Sequence, residues 1–262
     1  WMDGSQRLAW LEDYAASVAS AADVDVPHRL HEGIRLEHVD FAYPGTERLV
    51  LEDVNLELPA GAVVAVVGEN GAGKTTLVKL LSKLYEPTAG RILVDGDELS
   101  RMSAEGWRDP LAGAYQDFFR FELLARQSVG VGDVPHLDDR PAVEAAVERA
   151  GADDVVEGFE LGLDTQLGPT WPEGVEVSFG QWQKLALARG FMREEALLLV
   201  LDEPTAALDA ETEHALFERY AAGAQEDRGD GRITVLVSHR FSTVRMADLI
   251  VVLDGAHVVE VG

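Results

Sequence analysis

The stretch Gly68-Glu69-Asn70-Gly71-Ala72-Gly73-Lys74-Thr75-Thr76 decides the fold of this chain. It matches G-x-x-x-x-G-K-[ST], the pattern of a loop whose backbone N–H groups point inward at phosphate oxygens. We expect Lys74 to place its charge at the β- and γ-phosphates and the Thr75 hydroxyl to ligate Mg²⁺. All nine residues are therefore candidate nucleotide-binding residues.

The segments on either side of this loop support the same interpretation. An apolar run over residues 63–67 precedes it and is typical of a buried strand. Four leucines follow with the spacing of one helix face: Leu77, Leu80, Leu81 and Leu84. A helix in this position directs its positive N-terminal end at the bound anion.

Composition narrows the class of protein. The 262 residues carry 22 Lys and Arg against 47 Asp and Glu, a formal charge of −25, and no cysteine. A chain this acidic repels the phosphates of nucleic acid and of an anionic membrane surface. The excess acid is either a solubilising surface or an acidic binding face. Without cysteine, neither disulfides nor cysteine–metal clusters can form, which agrees with a cytoplasmic protein.

The apolar runs predict a parallel α/β core. They are far shorter than the roughly twenty residues that span a membrane, and continuous runs of this kind are typical of strands covered on both faces. Expected strands lie near 34–41, 50–58, 63–67, 90–94, 197–201, 233–237 and 249–253, with a turn at Asp95-Gly96-Asp97. Residues from about 117 to 192 have helical character, and there Asp139 is a candidate helix cap and Gly151 a stop signal. Residues 1–31 have the composition of a linker, and the chain looks like a piece of something longer.

Two adjacent carboxylates end one of the expected strands. Asp202 and Glu203 follow the run at 197–201. An acid at this strand end holds Mg²⁺ in phosphate-loop enzymes, usually through water. A second acid at the carboxyl edge of the sheet can orient, or take a proton from, the water that attacks a γ-phosphate. The other interpretation is an ordinary polar exit from a strand.

The segment Ser178-Phe179-Gly180-Gln181 predicts the start of a helix. Ser178 with Gln181 three residues later forms the pattern of a capping box, with Ser178 as the cap. A serine hydroxyl and free N–H groups at a helix start also make an anion site. From these residues alone, a well-capped helix and an anion site both remain open.

Taken in order, these elements resemble a known family. They are the loop at 68–76, Gln116, the segment 178–181, the acidic strand end at 201–204, Ala207-Leu208-Asp209 and Ser238-His239-Arg240. The series is similar to the nucleotide-binding domain of an ATP-binding cassette (ABC) transporter over nearly all of residues 32–262. The segments at 115–118, 162–168 and 238–244 resemble the exporter branch of that family.

The resemblance implies a fold and a set of roles. It implies a P-loop NTPase core with a mostly parallel sheet, an antiparallel β subdomain and the helical insertion. Tyr43 would stack on adenine, Gln116 would contact Mg²⁺ and the attacking water, and His239 would lie near the γ-phosphate. Residues 178–181 would be the signature motif and Asp209 the D-loop aspartate. Two residues keep a structural alternative: a packed turn beside Pro44 for Tyr43, and a cap or core position for His239.

The resemblance also implies partners. ATP and Mg²⁺ would bind between two cassettes joined head to tail, and closure would drive a transmembrane domain of the same transporter. The cassette, residues 32–262, would lie on the cytoplasmic face of the membrane, with residues 1–31 as the linker from the membrane domain. Two other classes remain as alternatives: a soluble ABC-type ATPase of DNA repair or translation, and a nucleotide sensor without hydrolysis.

One position departs from the family pattern. The signature usually reads Leu-Ser-Gly-Gly-Gln, but Phe179 occupies the place of the first glycine. If Ser178 is the cap, Phe179 begins the helix with ordinary backbone angles. Its ring would stand where glycine lets the partner's phosphate approach, which suggests a heterodimer with one weakened site. The alternative is a ring that points away and a homodimer that works normally.

Overall fold

A computed structural model describes residues 22–203, 231–238 and 244–262. Within those ranges ten strands form two sheets. The strands are β1 (Gly33–Ala42), β2 (Leu49–Pro59), β3 (Val63–Gly68), β4 (Ala89–Val94), β5 (Asp97–Glu98), β6 (Leu111–Ala114), β7 (Leu198–Asp202), β8 (Ile233–Val237), β9 (Leu249–Asp254) and β10 (His257–Val261).

The larger sheet has six strands in the order β10-β9-β3-β8-β7-β6. Strands β9, β3, β8, β7 and β6 are parallel, and β10 alone pairs antiparallel at one edge. Every residue of β7 and β8 is buried. Helices and the second sheet cover both faces of these central parallel strands, so every position along them is apolar or buried. The mostly parallel sheet expected from the sequence is confirmed.

The smaller sheet is antiparallel, with the order β2-β1-β4-β5. Its inward residues alternate along β2, so that one face packs on the core. The predicted turn joins β4 to β5 through Asp95 at φ 48° and Gly96 at φ 89°. Two consecutive positive φ values are the backbone of a type I′ hairpin turn. This sheet confirms the expected antiparallel subdomain.

Six α-helices occur in the described ranges, and four of them lie in the predicted helical insertion. The helices are α1 (Lys74–Leu81), α2 (Ala104–Arg108), α3 (Ala125–Gly130), α4 (Arg140–Arg149), α5 (Asp153–Glu157) and α6 (Phe179–Gly190). Helices α3 to α6 share a hydrophobic core separate from the one beneath the smaller sheet. Across the described residues, no helix has both the length and the apolar character to cross a membrane.

Helix α4 begins and ends where the sequence indicates. Asp139 caps it by accepting a hydrogen bond from the Ala142 amide. At the other end Gly151 adopts φ 59°, and the amides of Gly151 and Ala152 bond back to carbonyls within the last turn. This is the Schellman arrangement, which glycine permits because it has no Cβ.

Helix α1 ends one turn earlier than the leucine spacing predicts. Leu77, Leu80 and Leu81 lie on its buried face, but Leu84 lies beyond the helix and is 47% exposed, so its placement on the same helix face was wrong. Lys83 adopts φ 50° and closes the helix, with the Leu84 amide bonding back to the Lys79 carbonyl. Lysine rarely occupies this left-handed position, and so the sequence carries no stop signal there.

Candidate functional site

Four parallel strands bring the predicted site residues to one edge of the larger sheet. These neighbouring strands follow the order β3-β8-β7-β6 in the sheet. Their register places Val237 of β8 between Val66 of β3 and Asp202 of β7. The carboxyl ends of these strands therefore lie side by side. The phosphate loop follows β3, Glu203 follows β7, and Gln116 lies two residues beyond β6. Ligands of open α/β sheets bind outside this edge.

The side chain of Lys74 lies within the loop. It is 7% exposed, and its Nζ donates hydrogen bonds to the carbonyls of Gly68 (2.8 Å) and Glu69 (3.0 Å). Glu69, Asn70 and Gly71 form the exposed crest of the loop. A buried ammonium inside a ring of backbone groups is the arrangement that receives phosphate oxygens.

Two glycines of the loop are required by close contacts. Gly68 has φ 152°, and a Cβ there would lie 2.1 Å from the Leu253 carbonyl oxygen. Gly73, with φ 103°, is the N-cap of α1, and a Cβ there would lie 2.8 Å from the Val50 carbonyl oxygen. The loop can therefore approach β2 and β9 only as a glycine-rich turn. That packing places Ala72 in the core and holds the N-terminus of α1 toward the loop.

Asp202 is a buried carboxylate at the end of β7. It is 1% exposed, and neither oxygen has a hydrogen-bonding partner among the described residues. Burial raises the pKa of this carboxyl, and the charge of Glu203 raises it further, while the nearby Thr75 hydroxyl and the Lys74 ammonium oppose the rise. A buried acid left in this state fits a divalent cation, because Mg²⁺ takes oxygen ligands and neutralises the charge.

Glu203 occupies a strained backbone position. Its φ of 46° lies in the left-handed region, and its amide bonds to the Val237 carbonyl at 3.0 Å. A left-handed residue that is not glycine costs about 1 kcal/mol or more and is concentrated at functional sites. The turn it makes carries the chain out of β7 at the ligand-binding edge of the sheet.

Tyr43 is tied directly to the end of the loop. Its hydroxyl lies 3.0 Å from the Thr76 hydroxyl, and its ring packs edge-on against Phe41 and Tyr85. The Lys79 ammonium stands 5.7 Å from the ring centroid, within cation–π range. Tyr43 is thus a packed residue that also borders the candidate nucleotide site. Sequence reasoning missed Lys79, which lies outside the motifs. It also missed the contact between Tyr43 and Thr76, because these residues are far apart in the chain.

Gln116 is exposed beyond the end of β6. The residue before it, Tyr115, is held by a 3.2 Å contact between its hydroxyl and that of Ser82, at the end of α1. Burial raises the pKa of Tyr115, so its hydroxyl stays protonated at neutral pH. Strand β6 was not predicted, since its sequence Leu-Ala-Gly-Ala has few strong strand formers.

The segment 178–181 forms the predicted capping box. The Ser178 oxygen accepts from the Gln181 amide at 3.3 Å, and the Gln181 side chain accepts from the Ser178 amide at 2.9 Å. Phe179 begins α6 and is 51% exposed, with its ring 5.6 Å from that of Phe118 and 5.5 Å from the Arg120 guanidinium. Helix α6 packs on α3, α4 and β6. The segment therefore lies in the helical part of the chain.

Several predicted residues lie outside the described ranges. They are Pro204, Ala207, Leu208, Asp209, His239 and Arg240. The described neighbour of His239 is Ser238, which is buried at the end of β8 and whose amide bonds to the Val66 carbonyl. The proposed roles of His239 and Asp209 remain predictions.

Comparison with known proteins identifies the family of the chain. A family model described as ABC transporter matches residues 51–206. An ATP-dependent lipid A-core flippase of Ralstonia nicotianae is 40% identical over 236 residues, covering 89% of this chain and 38% of the relative. The nisin transport ATP-binding protein NisT of Lactococcus lactis is 35% identical over 229 residues, covering 87% of this chain and 37% of the relative.

A solved structure extends this likeness to the fold. It is that of a bacterial Atm1-family ABC exporter with ATP bound, which superposes with a TM-score of 0.78 at 30% identity. The match covers 97% of this chain and 43% of that one. The present chain thus spans less than half the length of each of these three proteins. The family resemblance and the fold inferred from the sequence motifs are confirmed.

Proposed function

Because the chain belongs to the ABC transporter family, we propose that it is the ATP-hydrolysing domain that drives an exporter. One observation supports this most strongly: the buried carboxylate of Asp202 and the loop around Lys74 share one sheet edge, and among the described residues that carboxylate has no hydrogen-bonding partner. A triphosphate with a divalent cation presents the anion and the cation that these two features complement. The relatives named above are transport proteins, which favours an exporter over a soluble ATPase of DNA repair or translation.

The loop residues hold the phosphates in this proposal. Backbone amides of residues 68–76 and the Lys74 ammonium bind the β- and γ-phosphates, and the N-terminus of α1 adds its dipole. Tyr43 stacks on the adenine ring. Its hydroxyl contact with Thr76 supports this, because it keeps the ring beside the loop.

Three oxygen-bearing side chains would hold Mg²⁺: Thr75, Gln116 and Asp202. Bound there, Mg²⁺ would supply positive charge to neutralise the triphosphate. Thr75 lies near enough to Asp202 to influence its pKa, which supports a shared ligand set. Gln116 is exposed and comes from a neighbouring strand end, so it can reach a bound nucleotide from outside the sheet.

Glu203 is the residue we assign to the chemical step. Its carboxylate orients the water that attacks the γ-phosphate and accepts the proton that this water loses. Its strained turn supports the role, since strain of this kind is maintained where the surroundings fix a functional geometry. Gln116 positions the same water, and His239 stabilises the γ-phosphate.

A single substitution tests this assignment. Glu203→Gln keeps the size of the side chain but cannot accept a proton. We expect unchanged ATP binding and a rate of phosphate release lower by about 10²–10⁴-fold, the usual contribution of a general base. Glu260→Gln, an exposed site on β10, is the matched control. Equal hydrolysis by the Glu203 variant and the control would refute Glu203 as the base.

The partners in this proposal are a second cassette and a membrane domain. Two cassettes join head to tail, so that residues 178–181 of each cover the ATP of the other. Residues 1–31 link the cassette, residues 32–262, to a transmembrane domain, and the helical insertion spans about 117–192. The site then works at the cytoplasmic face of the membrane. Nucleic acid is not a partner, since a charge of −25 repels it.

Phe179 supports a heterodimeric arrangement. Its ring is half exposed, lies tilted against Phe118 and near Arg120, and adds bulk at the start of α6. We therefore assign the regular signature motif to a different partner chain, which would complete the site that contains Glu203. The test is the ATPase rate of this chain alone and of Phe179→Gly. A low rate that the substitution raises is expected, whereas a fully active chain unchanged by it would refute the heterodimer.

A further inference from the structure

Lys83 is a buried cation that the proposed ATP site does not use. It is 6% exposed and lies two residues beyond the end of α1 in a left-handed conformation. Its Nζ donates to the carbonyls of Leu99 and Met102, each at 2.6 Å, and of Ser100 at 3.2 Å. The Glu86 carboxylate, at 3.4 Å, is half exposed to water. An ammonium is buried only where such contacts replace its hydration, so Lys83 anchors residues 99–102, here named the 99–102 turn.

The outer side of the 99–102 turn holds the segment that enters the cassette. The Arg101 guanidinium binds both carboxylate oxygens of Asp23, at 2.9 and 2.7 Å. The Arg101 carbonyl accepts from the amides of Asp23 (3.0 Å) and Val24 (3.3 Å). Val24 and Val26 then pack against the hydrophobic core. The backbone bonds and the bidentate ion pair thus fix this segment, residues 22–26, to the turn, and its two valines fix it to the core.

Helix α1 connects the turn to the phosphate loop. Lys74 and Thr75 form its first turn, and Lys83 lies two residues beyond its last residue, so the two ends are about 12 Å apart at 1.5 Å per residue. Its C-terminal end is also fixed by the indole of Trp107, which donates to the Leu81 carbonyl at 2.8 Å. A short helix held at both ends moves as a rigid unit, because its buried face leaves no room for bending.

We propose that the 99–102 turn is the docking site for residues 22–26, and that Lys83 is the positioning residue that couples this docking to the phosphate loop. This coupling rests on one part of the proposed function, the binding of ATP at the phosphate loop. Such coupling is reciprocal. In this proposal the coupling has a positive sign: ATP binding strengthens the docking of residues 22–26, and release of that segment weakens ATP binding by the same factor.

The first test removes the docking contact at the surface. Asp23→Asn loses the ion pair with Arg101, and Asp25→Asn, an exposed aspartate two residues further on, is the matched control. We expect exchange of the Asp23 and Val24 amides to be about tenfold faster in the Asp23 variant, and its ATP affinity to fall about fivefold, the lower end for coupled sites. Equal ATP affinities for the two variants would overturn the coupling. A wild-type chain that binds no ATP would instead overturn the proposed function.

The second test removes the buried charge. Lys83→Met keeps the aliphatic stem, and Lys184→Met, a lysine paired with Asp154 in the helical part, controls for the loss of a positive charge. We expect the Lys83 variant to exchange its Asp23 and Val24 amides faster and to lose the protection that ATP adds. If the amides exchange as in the control, with the same response to ATP, Lys83 does not position the turn. Should this variant fail to fold, the Asp23 pair still decides the coupling.

Discussion

Asp202→Asn is expected to make the protein more stable while it abolishes ATP hydrolysis. The substitution replaces a carboxylate by an amide of nearly the same size, so it leaves no cavity. In the wild-type chain this carboxylate is 1% exposed, and its oxygens have no hydrogen-bonding partner among the described residues. The side chain is therefore costly for folding until a cation neutralises it.

The size of the effect follows from two opposing contributions. Burying an unpaired carboxylate costs several kcal/mol after relaxation of the surroundings. Lys74 and Thr75 reduce that cost, but the pKa of Asp202 is still raised, so burial outweighs them. The amide that replaces it is itself unpaired and costs about 1–3 kcal/mol. We expect a net gain in the free energy of unfolding of about 1–2 kcal/mol, which raises Tm by about 2–8 °C in a chain of this size.

The stability gain should depend on pH in a defined direction. The pKa of Asp202 in the folded state is raised above its usual value of 3.8. A protonated Asp202 therefore contributes stability that is fully present below 3.8 and is lost as the pH rises through the raised pKa. The advantage of Asp202→Asn is thus greatest at neutral pH and shrinks as the pH falls through that window.

Thermal denaturation at neutral pH and at lower pH, without nucleotide, measures these differences. Asp254→Asn is the matched control, because Asp254 also ends a strand of the larger sheet but is exposed. Phosphate release and thermal denaturation are then measured on the same samples with Mg²⁺ and ATP. The full rate of phosphate release and the full rise in Tm are expected only for the wild type and the control. An Asp202 variant no more stable than the control would refute the claim that the buried carboxylate destabilises the folded chain. An Asp202 variant with normal ATPase would refute the metal-binding role.

Three further substitutions probe the loop and the capping box. Tyr43→Phe removes the hydroxyl bonded to Thr76 and should weaken ATP binding by about fivefold, since a hydrogen bond contributes about 1 kcal/mol. An unchanged dissociation constant for ATP would contradict this expectation. Gly73→Ala places a Cβ 2.8 Å from a backbone oxygen of β2 and should lower stability and ATP binding, whereas Gly45→Ala, with open space around it, should affect binding little. Ser178→Ala loses one half of the capping box and should lower the free energy of unfolding by about 1 kcal/mol in a urea titration. An unchanged free energy of unfolding would indicate that water replaces the cap.

The local features of this protein can be predicted from its sequence. The phosphate loop, the capping box at Ser178 and the cap and stop of α4 each depend on hydrogen bonds between residues a few positions apart. Such bonds are determined by short runs of sequence, as are the continuous apolar strands. Where the local signal is absent, prediction failed: Lys83 ends α1 in a conformation typical of glycine, and β6 is built from small residues.

Tertiary structure alone decided which of these parts meet. The strand order β3-β8-β7-β6 does not follow the chain, and it sets Asp202 two strands from the phosphate loop, on the same edge. The contacts of Tyr43 with Thr76, and of Lys83 with the 99–102 turn, likewise join residues far apart in sequence. Sheet order and such contacts result from burial of whole faces against one another, a property of the assembled layers that no short run of residues contains.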